Sequence, residues 1–287
     1  MSKLVVEPKR PLSVAELSAQ LRALQRQRVW HLKSRMMVAN RLQATVAGEE
    51  CGYSSSMPEK ERRKCFVEAS ELVERIAAGE ATTKVDGIVK TTILAIQGFE
   101  SMKVALEKEM KKLAGQLPVA RWVQEPEQRG FGILFLGIVI GETGDLNGYE
   151  NPAKVWRRLG CAPWTFDDKT LMGSTWRIGK EGRLPASEWE AFGYSPRRRS
   201  IAYLIGEGLV KQNGGSKVCG EENGEKKDVT DAGITARPCG PYRARYDEAK
   251  VLAKQSHPDW SDLRCHRHGM LLATKRLLRE LWIQWRK

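Results

Sequence analysis

Two glycines ahead of an apolar run are the residues best suited to contact a phosphate. Gly130 and Gly132 bracket Phe131, and the apolar run 133–140 follows directly. This is the spacing of a helix-hairpin-helix turn. Glycine lets the backbone come close to a phosphate, and the first N–H groups of the next helix can donate to an anion. We therefore predict nucleic-acid contacts at Gly130 and Gly132. A glycine-rich turn before a buried helix is the equally weighted alternative.

A run of three arginines is the second candidate contact. Arg197, Arg198 and Arg199 follow Ser195-Pro196, which suits a helix start because serine can cap it and proline fits its first turn. Three cations at a helix N-terminus oppose the helix dipole and repel each other, and a bound polyanion would relieve both costs. Chance placement on a solvated face is the alternative. The other predicted nucleic-acid-binding residues lie in the first and last helices: Arg22, Arg26, Lys275 and Arg276.

The charge balance favours a polyanionic partner. The chain has 287 residues, with 48 lysines and arginines against 35 acidic residues, and its pI is near 9.5. A net charge of +13 suits nucleic acid first and an anionic membrane second. The alternative is a basic protein whose charge serves only solubility. We expect DNA as the partner, with structured RNA as the other nucleic acid that fits, and no membrane.

Cysteine spacing and the length of the apolar runs bear on the compartment. The six cysteines lie far apart and no signal peptide precedes them, so we expect no disulfide framework. The longest apolar run, 133–140, is too short to span a bilayer. These features predict a soluble, cytoplasmic protein. No cofactor is evident in this chain, and we assign no metal site. Zinc held by Cys219, Cys239 and the Cys265 to His268 segment is a less favoured alternative, since no Cys-x-x-Cys pair is present.

The first half of the chain has the pattern of long helices. Ser13 and Glu16 form a capping box, which predicts a helix start, and a second helix is expected from Pro58 to Gly79. The first helix has an apolar stripe at Leu17, Leu21, Leu24, Leu32, Met36 and Val46. The third has a more regular one at Ile96, Phe99, Met102, Leu106, Met110, Leu113 and Leu117. Spacings of three and four predict a coiled-coil seam, paired with the first helix or with a second copy. Plain bundle packing is about as well supported.

The second half predicts shorter helices around two irregular stretches. Helices are expected from 151–152 to Leu159, from Ser195, from Pro241 to about Gln255, and from Asp262 to the end. The stretch 164–194 has no clear period, and 213–240 has the composition of a polar insertion. The fold class is therefore mainly α. We expect a helical coiled-coil region over 1–118 and a helical domain with the helix-hairpin-helix over 119–287.

Taken in order, these pieces resemble a known family. The matching motifs are Gly130-Phe131-Gly132, Gly141-Glu142-Thr143-Gly144-Asp145, Arg158-Leu159-Gly160-Cys161-Ala162-Pro163, Tyr242-Arg243-Ala244-Arg245-Tyr246 and Lys275-Arg276-Leu277-Leu278. Their order is similar to that in insertion-sequence transposases of the DEDD type, which include the bridge-RNA-guided recombinases and the Piv-type DNA invertases. The resemblance covers most of the chain, and the order of the motifs carries it. It implies a role in DNA transposition or site-specific recombination.

The resemblance also bears on catalysis. Members of that family carry a nucleophilic serine soon after the Leu-Gly-x-x-Pro turn, and the nearest serine here is Ser174, so Ser174 is the candidate catalytic residue. Only about a dozen residues precede the first predicted helix, so we expect that this chain lacks the family's ribonuclease-H-like domain with four metal-binding acids. We therefore expect a chain that is not a complete recombinase by itself, and the sequence leaves open whether it is an enzyme.

The expected assembly follows from the same features. A homo-oligomer would form through the coiled coil, and a separately encoded subunit would supply the missing chemistry. The alternative is a non-catalytic, dimeric protein that binds DNA or RNA in a structural or regulatory role.

Overall fold

Helices account for most of the fold, which confirms the mainly α class. A computed structural model of the chain describes residues 10–162, 164–166, 169–171, 194–212, 221–222, 225–226 and 239–287. Within these ranges the α-helices are α1 Val14–Glu50, α2 Glu59–Ala77, α3 Asp86–Ala114, α4 Ala120–Val123, α5 Ile133–Thr143, α6 Pro152–Arg158, α7 Pro196–Gln212, α8 Pro241–Ser256 and α9 Asp262–Trp285. Short 3-10 turns occupy Pro126–Gln128 and Leu146–Gly148. The helix-hairpin-helix character of the segment before α5 stays a prediction.

Two short antiparallel strand pairs interrupt the helices. Strand β1, Trp164–Phe166, pairs with β2, Lys169–Leu171, with Thr165 opposite Thr170. Strand β3, Glu221–Glu222, pairs with β4, Glu225–Lys226. Both pairs fall in the stretches for which the sequence shows no helical period.

Local capping signals set several helix starts. At α1, the Ser13 amide donates to Glu16 Oε2 at 2.8 Å and the Glu16 amide donates to Ser13 Oγ at 3.3 Å. These two bonds are those of a capping box, which confirms the prediction. The Asn151 side chain accepts from the Lys154 amide at the start of α6. Ser195 Oγ accepts from the Arg198 amide, at 3.5 Å, at the start of α7.

The chain divides into two compact units whose charges differ. The basic unit comprises the chain up to Arg22 together with 111–287, and the near-neutral unit comprises 23–110. The basic unit contains 34 lysines and arginines against 23 acids, whereas the near-neutral unit contains 14 against 12. The divisions fall inside α1 and α3, while the sequence prediction placed a boundary between 118 and 119. The excess positive charge of the chain therefore belongs almost entirely to the basic unit.

The near-neutral unit has a small apolar core at one end of its helices. Its buried residues come from α1, α2 and the start of α3: Leu42, Val46, Ala47, Ala69, Ile76, Val85 and Val89. Further along, α3 contacts α1 through ion pairs, with Arg28 Nε 2.7 Å from Glu107 Oε1 and Arg35 Nε 3.4 Å from Glu100 Oε2. Two residues of the expected apolar stripes lie outside any core, since Met36 is 60% exposed and Met102 is 53% exposed. An apolar period in the sequence does not by itself show which apolar stripe packs against another helix.

The core of the basic unit is built around α9. This helix packs on α7 and α8, and its buried face includes Leu277, Leu278 and Leu281. The Tyr242 hydroxyl of α8 is buried and donates to the Glu280 carboxylate of α9 at 2.5 Å. Across the residues that the structure describes, no helix has both the length and the apolar content needed to cross a membrane.

Candidate nucleic-acid interface

Helix α5 is apolar along most of its length and holds one buried carboxylate, that of Glu142. Its buried residues include Leu136, Val139 and Ile140, and Glu142 follows in the last turn. The Glu142 side chain is only 3% exposed. Burial of a charged carboxylate is unfavourable unless the group is paired and hydrogen-bonded. The fold must therefore bring cations to Glu142.

Three arginines donate hydrogen bonds to Glu142. Arg197 binds the carboxylate through both terminal nitrogens, with Nη1 on Oε1 and Nη2 on Oε2 at 2.8 Å. Arg198 donates from Nε to Glu142 Oε2 at 3.2 Å. Arg158, from the end of α6, donates from Nε to the Glu142 carbonyl oxygen at 3.3 Å. The arginine run at the start of α7 is thus anchored internally by a residue about fifty positions earlier in the chain.

A fourth arginine and a tyrosine complete the group. Gly144 leaves room for Arg22, since an added Cβ there would lie 3.5 Å from the Arg22 Cδ and Nη1 atoms. The Tyr149 hydroxyl donates to the Thr143 carbonyl oxygen at 2.8 Å. Burial raises the pKa of Tyr149, and three guanidinium groups oppose that rise, those of Arg158, Arg198 and Arg22. These arginines therefore surround one small region.

We call Arg22, Arg158, Arg197, Arg198 and Glu142 the arginine cluster. It holds four cations against one carboxylate. Burial, together with the nearby charge of Arg158, lowers the pKa of Arg198, although Glu142 opposes this shift. The cluster is accessible, because the side chain of Arg197 is 38% exposed and Arg22 is also exposed. An exposed group with this imbalance favours an anionic ligand.

Several other cations of the basic unit have acidic neighbours. Six ion pairs of this kind are Lys154–Glu150, Lys211–Glu207, Arg243–Asp247, Arg245–Glu248, Lys254–Asp262 and Arg276–Glu280. Five of them join residues three or four positions apart, and four of these five lie within one helix, where that spacing places side chains on one surface. Within the described part of the chain, no ion pair is recorded for Arg22 or Arg158. Arg22 and Arg158 therefore add positive charge to the arginine cluster beyond the two arginines that pair with Glu142.

The third arginine of the run lies apart from the other two. The Cβ atom of Arg199 would be 3.0 Å from a Cβ added at Gly160. Arg199 and Lys275 both lie near the buried Cys161 thiol, and their charges partly offset the effect of burial, which raises the pKa of that thiol to about 12. The Lys275 Nζ atom lies 5.4 Å from the centre of the Trp156 ring. Burial lowers the pKa of Lys275. Arg199 and Lys275 thus form a second, smaller basic locus.

The two predicted glycines have different surroundings. Gly130 is half-buried, with φ of +94°, and an added Cβ would lie 2.4 Å from the Gly208 carbonyl oxygen. Gly132 is exposed at the N-terminus of α5, and nothing lies within 4 Å of an added Cβ. Packing of the turn against α7 is a structural reason for glycine at position 130. Of the two glycines, only Gly132 is exposed to solvent. Phosphate contact at either residue stays a prediction.

The remaining predicted residues do not join the arginine cluster. Arg276 pairs with Glu280 and also donates to the Pro241 carbonyl oxygen at 3.4 Å. Arg26 is exposed and belongs to the near-neutral unit. Ser174 lies outside the described residues. No set of three His, Cys, Asp or Glu side chains suited to a metal ion occurs in the ranges that the structure covers.

Sequence reasoning gave no role to Glu142, Arg158 or Tyr149. Glu142 entered only as part of a motif, and Arg158 only as the start of another. A usable signal was present, because a single acid in the run 131–142, which is otherwise uncharged, has to find cations if that helix is buried. Which arginines it meets depends on the packing of α5 against α6 and α7.

Comparison with protein-family models, with curated proteins and with solved structures finds no match to this chain. The arginine cluster and the sequence motifs are therefore the features of this chain that bear on its function.

Proposed function

We propose that this chain is a DNA-binding protein of the transposase type, which acts in DNA transposition or site-specific recombination and contacts the phosphate backbone through the arginine cluster. The observation that supports this most directly is the grouping of four guanidinium groups between residues 142 and 149, of which only Arg197 and Arg198 pair with the buried Glu142 carboxylate. Guanidinium groups bind phosphate in bidentate geometry and remain charged at all physiological pH values. Contacts of this kind give affinity and register on the duplex without reading its sequence.

The arginines retain donors for such contacts. Arg198 and Arg158 each engage residue 142 through Nε, and for both side chains the Nη groups have no partner recorded in the described part of the chain. A guanidinium has five N–H donors, so binding along one edge leaves others available. Arg199 follows Arg197 and Arg198 on α7, and together with Lys275 of α9 it adds positive charge beside the arginine cluster.

The salt dependence of binding tests this proposal. We expect log affinity for a duplex of about 30 base pairs to fall steeply with log salt, because each neutralised phosphate contributes a slope of about −0.9. The double variant Arg22→Gln/Arg158→Gln should bind about tenfold or more weakly near 0.1 M salt, with a slope shallower by about two. Fluorescence anisotropy of a labelled duplex over a salt series measures both quantities.

A charge-matched control separates contact from net charge. Arg245→Gln/Lys254→Gln also removes two cations, but each of these has an acidic neighbour, Glu248 and Asp262. Its slope should stay close to that of the wild type. Equal effects of the two double variants, or wild-type binding that is insensitive to salt, would reject the cluster as the site. Stronger binding to duplex RNA of the same sequence would reassign the nucleic acid.

A second proposal concerns self-association through the near-neutral unit. Large apolar side chains are exposed on α1 and α3 of this unit: Trp30, Met36, Met37, Ile88, Leu94, Met102 and Val104. Exposed apolar patches of this kind mark interaction surfaces. A second copy of the chain is the occupant we propose, because like-charged copies meet with least repulsion where 14 basic residues are balanced by 12 acidic ones. A dimer of this kind is compatible with the transposase-type protein and with the non-catalytic, dimeric alternative.

Sedimentation velocity tests whether two copies of the chain associate. Leu94→Glu/Met102→Glu should convert a dimer to a monomer, because a buried charge opposes association, while the fold is kept since both side chains are exposed in the single chain. Val67→Glu places a charge at an exposed apolar site on α2 and should leave the dimer intact. A wild type that sediments as a monomer at tens of micromolar would contradict the proposal.

A further inference from the structure

Three guanidinium groups of the arginine cluster each direct one edge toward residue 142. Arg197 uses its two terminal nitrogens on the carboxylate, Arg198 uses Nε on the carboxylate, and Arg158 uses Nε on the backbone oxygen. The anchor is inaccessible, at 3% exposure, while Arg197 and Arg198 are 38% and 18% exposed. Solvent or ligand can therefore reach the arginines but not the carboxylate.

This arrangement gives Glu142 two opposing effects on a bound phosphate. Its carboxylate holds the guanidinium forks in place, which lowers the entropy cost of binding. It also places a fixed negative charge behind them. Carboxylate and phosphate present similar oxygen pairs to a guanidinium, so Glu142 occupies donors that a phosphate could use.

We propose that Glu142 is a built-in counterion of the arginine cluster, which limits its affinity for the phosphate backbone. This inference rests on the proposed nucleic-acid binding and names how that site is regulated. Four guanidinium groups that lack the carboxylate repel each other in the free protein, and a bound polyanion replaces the missing charge. In the native chain the Glu142 carboxylate already offsets part of this repulsion. The free protein is therefore stabilised, and its complex with the polyanion is weaker and dissociates more readily.

The sign of the effect of Glu142→Gln tests the inference. The amide is close to isosteric and can still accept hydrogen bonds, but the charge is lost. At about 10 Å a unit charge acts on phosphate strongly enough to change affinity by about three- to tenfold near 0.1 M salt, after allowance for screening. We therefore expect Glu142→Gln to bind the 30-base-pair duplex about three- to tenfold more tightly than the wild type, with a salt slope steeper by about one.

The matched control is Glu248→Gln, which makes the same change in net charge at an exposed partner of Arg245. It should alter affinity by less than about twofold, because exposed ion pairs interact weakly across a screened surface. Tighter binding of Glu142→Gln than of Glu248→Gln supports the counterion. Unchanged or weaker binding of a folded Glu142→Gln protein overturns it, because a merely structural role would lower affinity.

A second variant covers the case in which Glu142→Gln does not fold. The double variant Glu142→Gln/Arg197→Gln removes both members of the ion pair and so keeps the net charge of the arginine cluster. We expect affinity within about twofold of the wild type, since the charge balance is restored. An affinity at least tenfold lower would mean that Glu142 only orients the arginines, and would overturn the inference.

The two proposals fail in different ways. If the wild type shows no salt-dependent binding, the proposed function fails. If Arg22→Gln/Arg158→Gln weakens binding while Glu142→Gln does not strengthen it, only the counterion fails.

Discussion

Gly130→Ala should lower the free energy of unfolding by about 2–5 kcal/mol, which combines the strain of a positive φ with overpacking. Gly130 has φ of +94°, a region that residues with a Cβ atom rarely adopt. The added Cβ would lie 2.4 Å from the Gly208 carbonyl oxygen and 2.7 Å from the Leu209 amide nitrogen. All the crowding atoms belong to the backbone of α7, so no side-chain rotation can relieve the overlap.

The neighbouring glycine provides the control for this effect. Gly132→Ala should lower stability by no more than about 1 kcal/mol, the cost of alanine at a helix N-cap, because φ is −87° and no atom lies within 4 Å of the added Cβ. Gly208→Ala separates the effect of steric overlap from the effect of a positive φ. Its Cβ would lie 2.7 Å from the Gly130 carbonyl oxygen, but the residue is helical, so its loss should be the smaller of the two. Urea unfolding followed by circular dichroism measures all three, and equal stabilities of the Gly130 and Gly132 variants would contradict the packing argument.

Gly269→Ala should cost about 2 kcal/mol of unfolding free energy at the crossing of α8 and α9. An added Cβ would lie 2.8 Å from Tyr246 Cδ2 and 2.9 Å from the Tyr246 carbonyl oxygen. The ring cannot move away without loss of the 2.7 Å hydrogen bond between the Tyr246 hydroxyl and His266 Nδ1. The two helices must separate, and α8 and α9 share the most extensive helix contact in the described chain.

The same substitution in α3 should have the opposite sign. Gly98 lies in the interior of α3 with nothing within 4 Å of an added Cβ. Gly98→Ala should therefore stabilise the protein by up to about 1 kcal/mol, through the better helix propensity of alanine. Thermal unfolding of both variants distinguishes a helix-contact effect from a propensity effect. Stabilisation by Gly269→Ala would mean that α8 and α9 do not approach as closely as the structure indicates.

Short-range signals explain which features could be read from the sequence. The capping box at Ser13, the cap at Ser195 and the proline at the start of α8 all act within one helical turn, and each helix begins where they predict. The apolar period predicted for the third helix likewise identifies Met110 and Leu113, and Leu117 beyond the end of α3 at Ala114, all of which are buried. The same period includes Met102, which is exposed, because burial also requires an element on the other side.

The surroundings of the three arginines in the run could not be predicted from the sequence alone. Its three members are adjacent, share one charge and have no acid within a helical turn on either side, so local reasoning treats them as one group. The packed helices separate them, with Arg197 and Arg198 on the carboxylate of Glu142 and Arg199 beside Gly160. A helix presents successive residues in directions about 100° apart. Their separate surroundings therefore depend on which elements lie on each side of α7.

The sequence by itself determined the mainly α class, several helix starts and the excess of positive charge, because each depends on composition or on contacts within one turn. Only the tertiary structure decided that Arg158, Arg197 and Arg198 meet at Glu142, and that Gly130 packs against the backbone of Gly208. Both depend on residues more than fifty positions apart, and their meeting follows from how the helices pack.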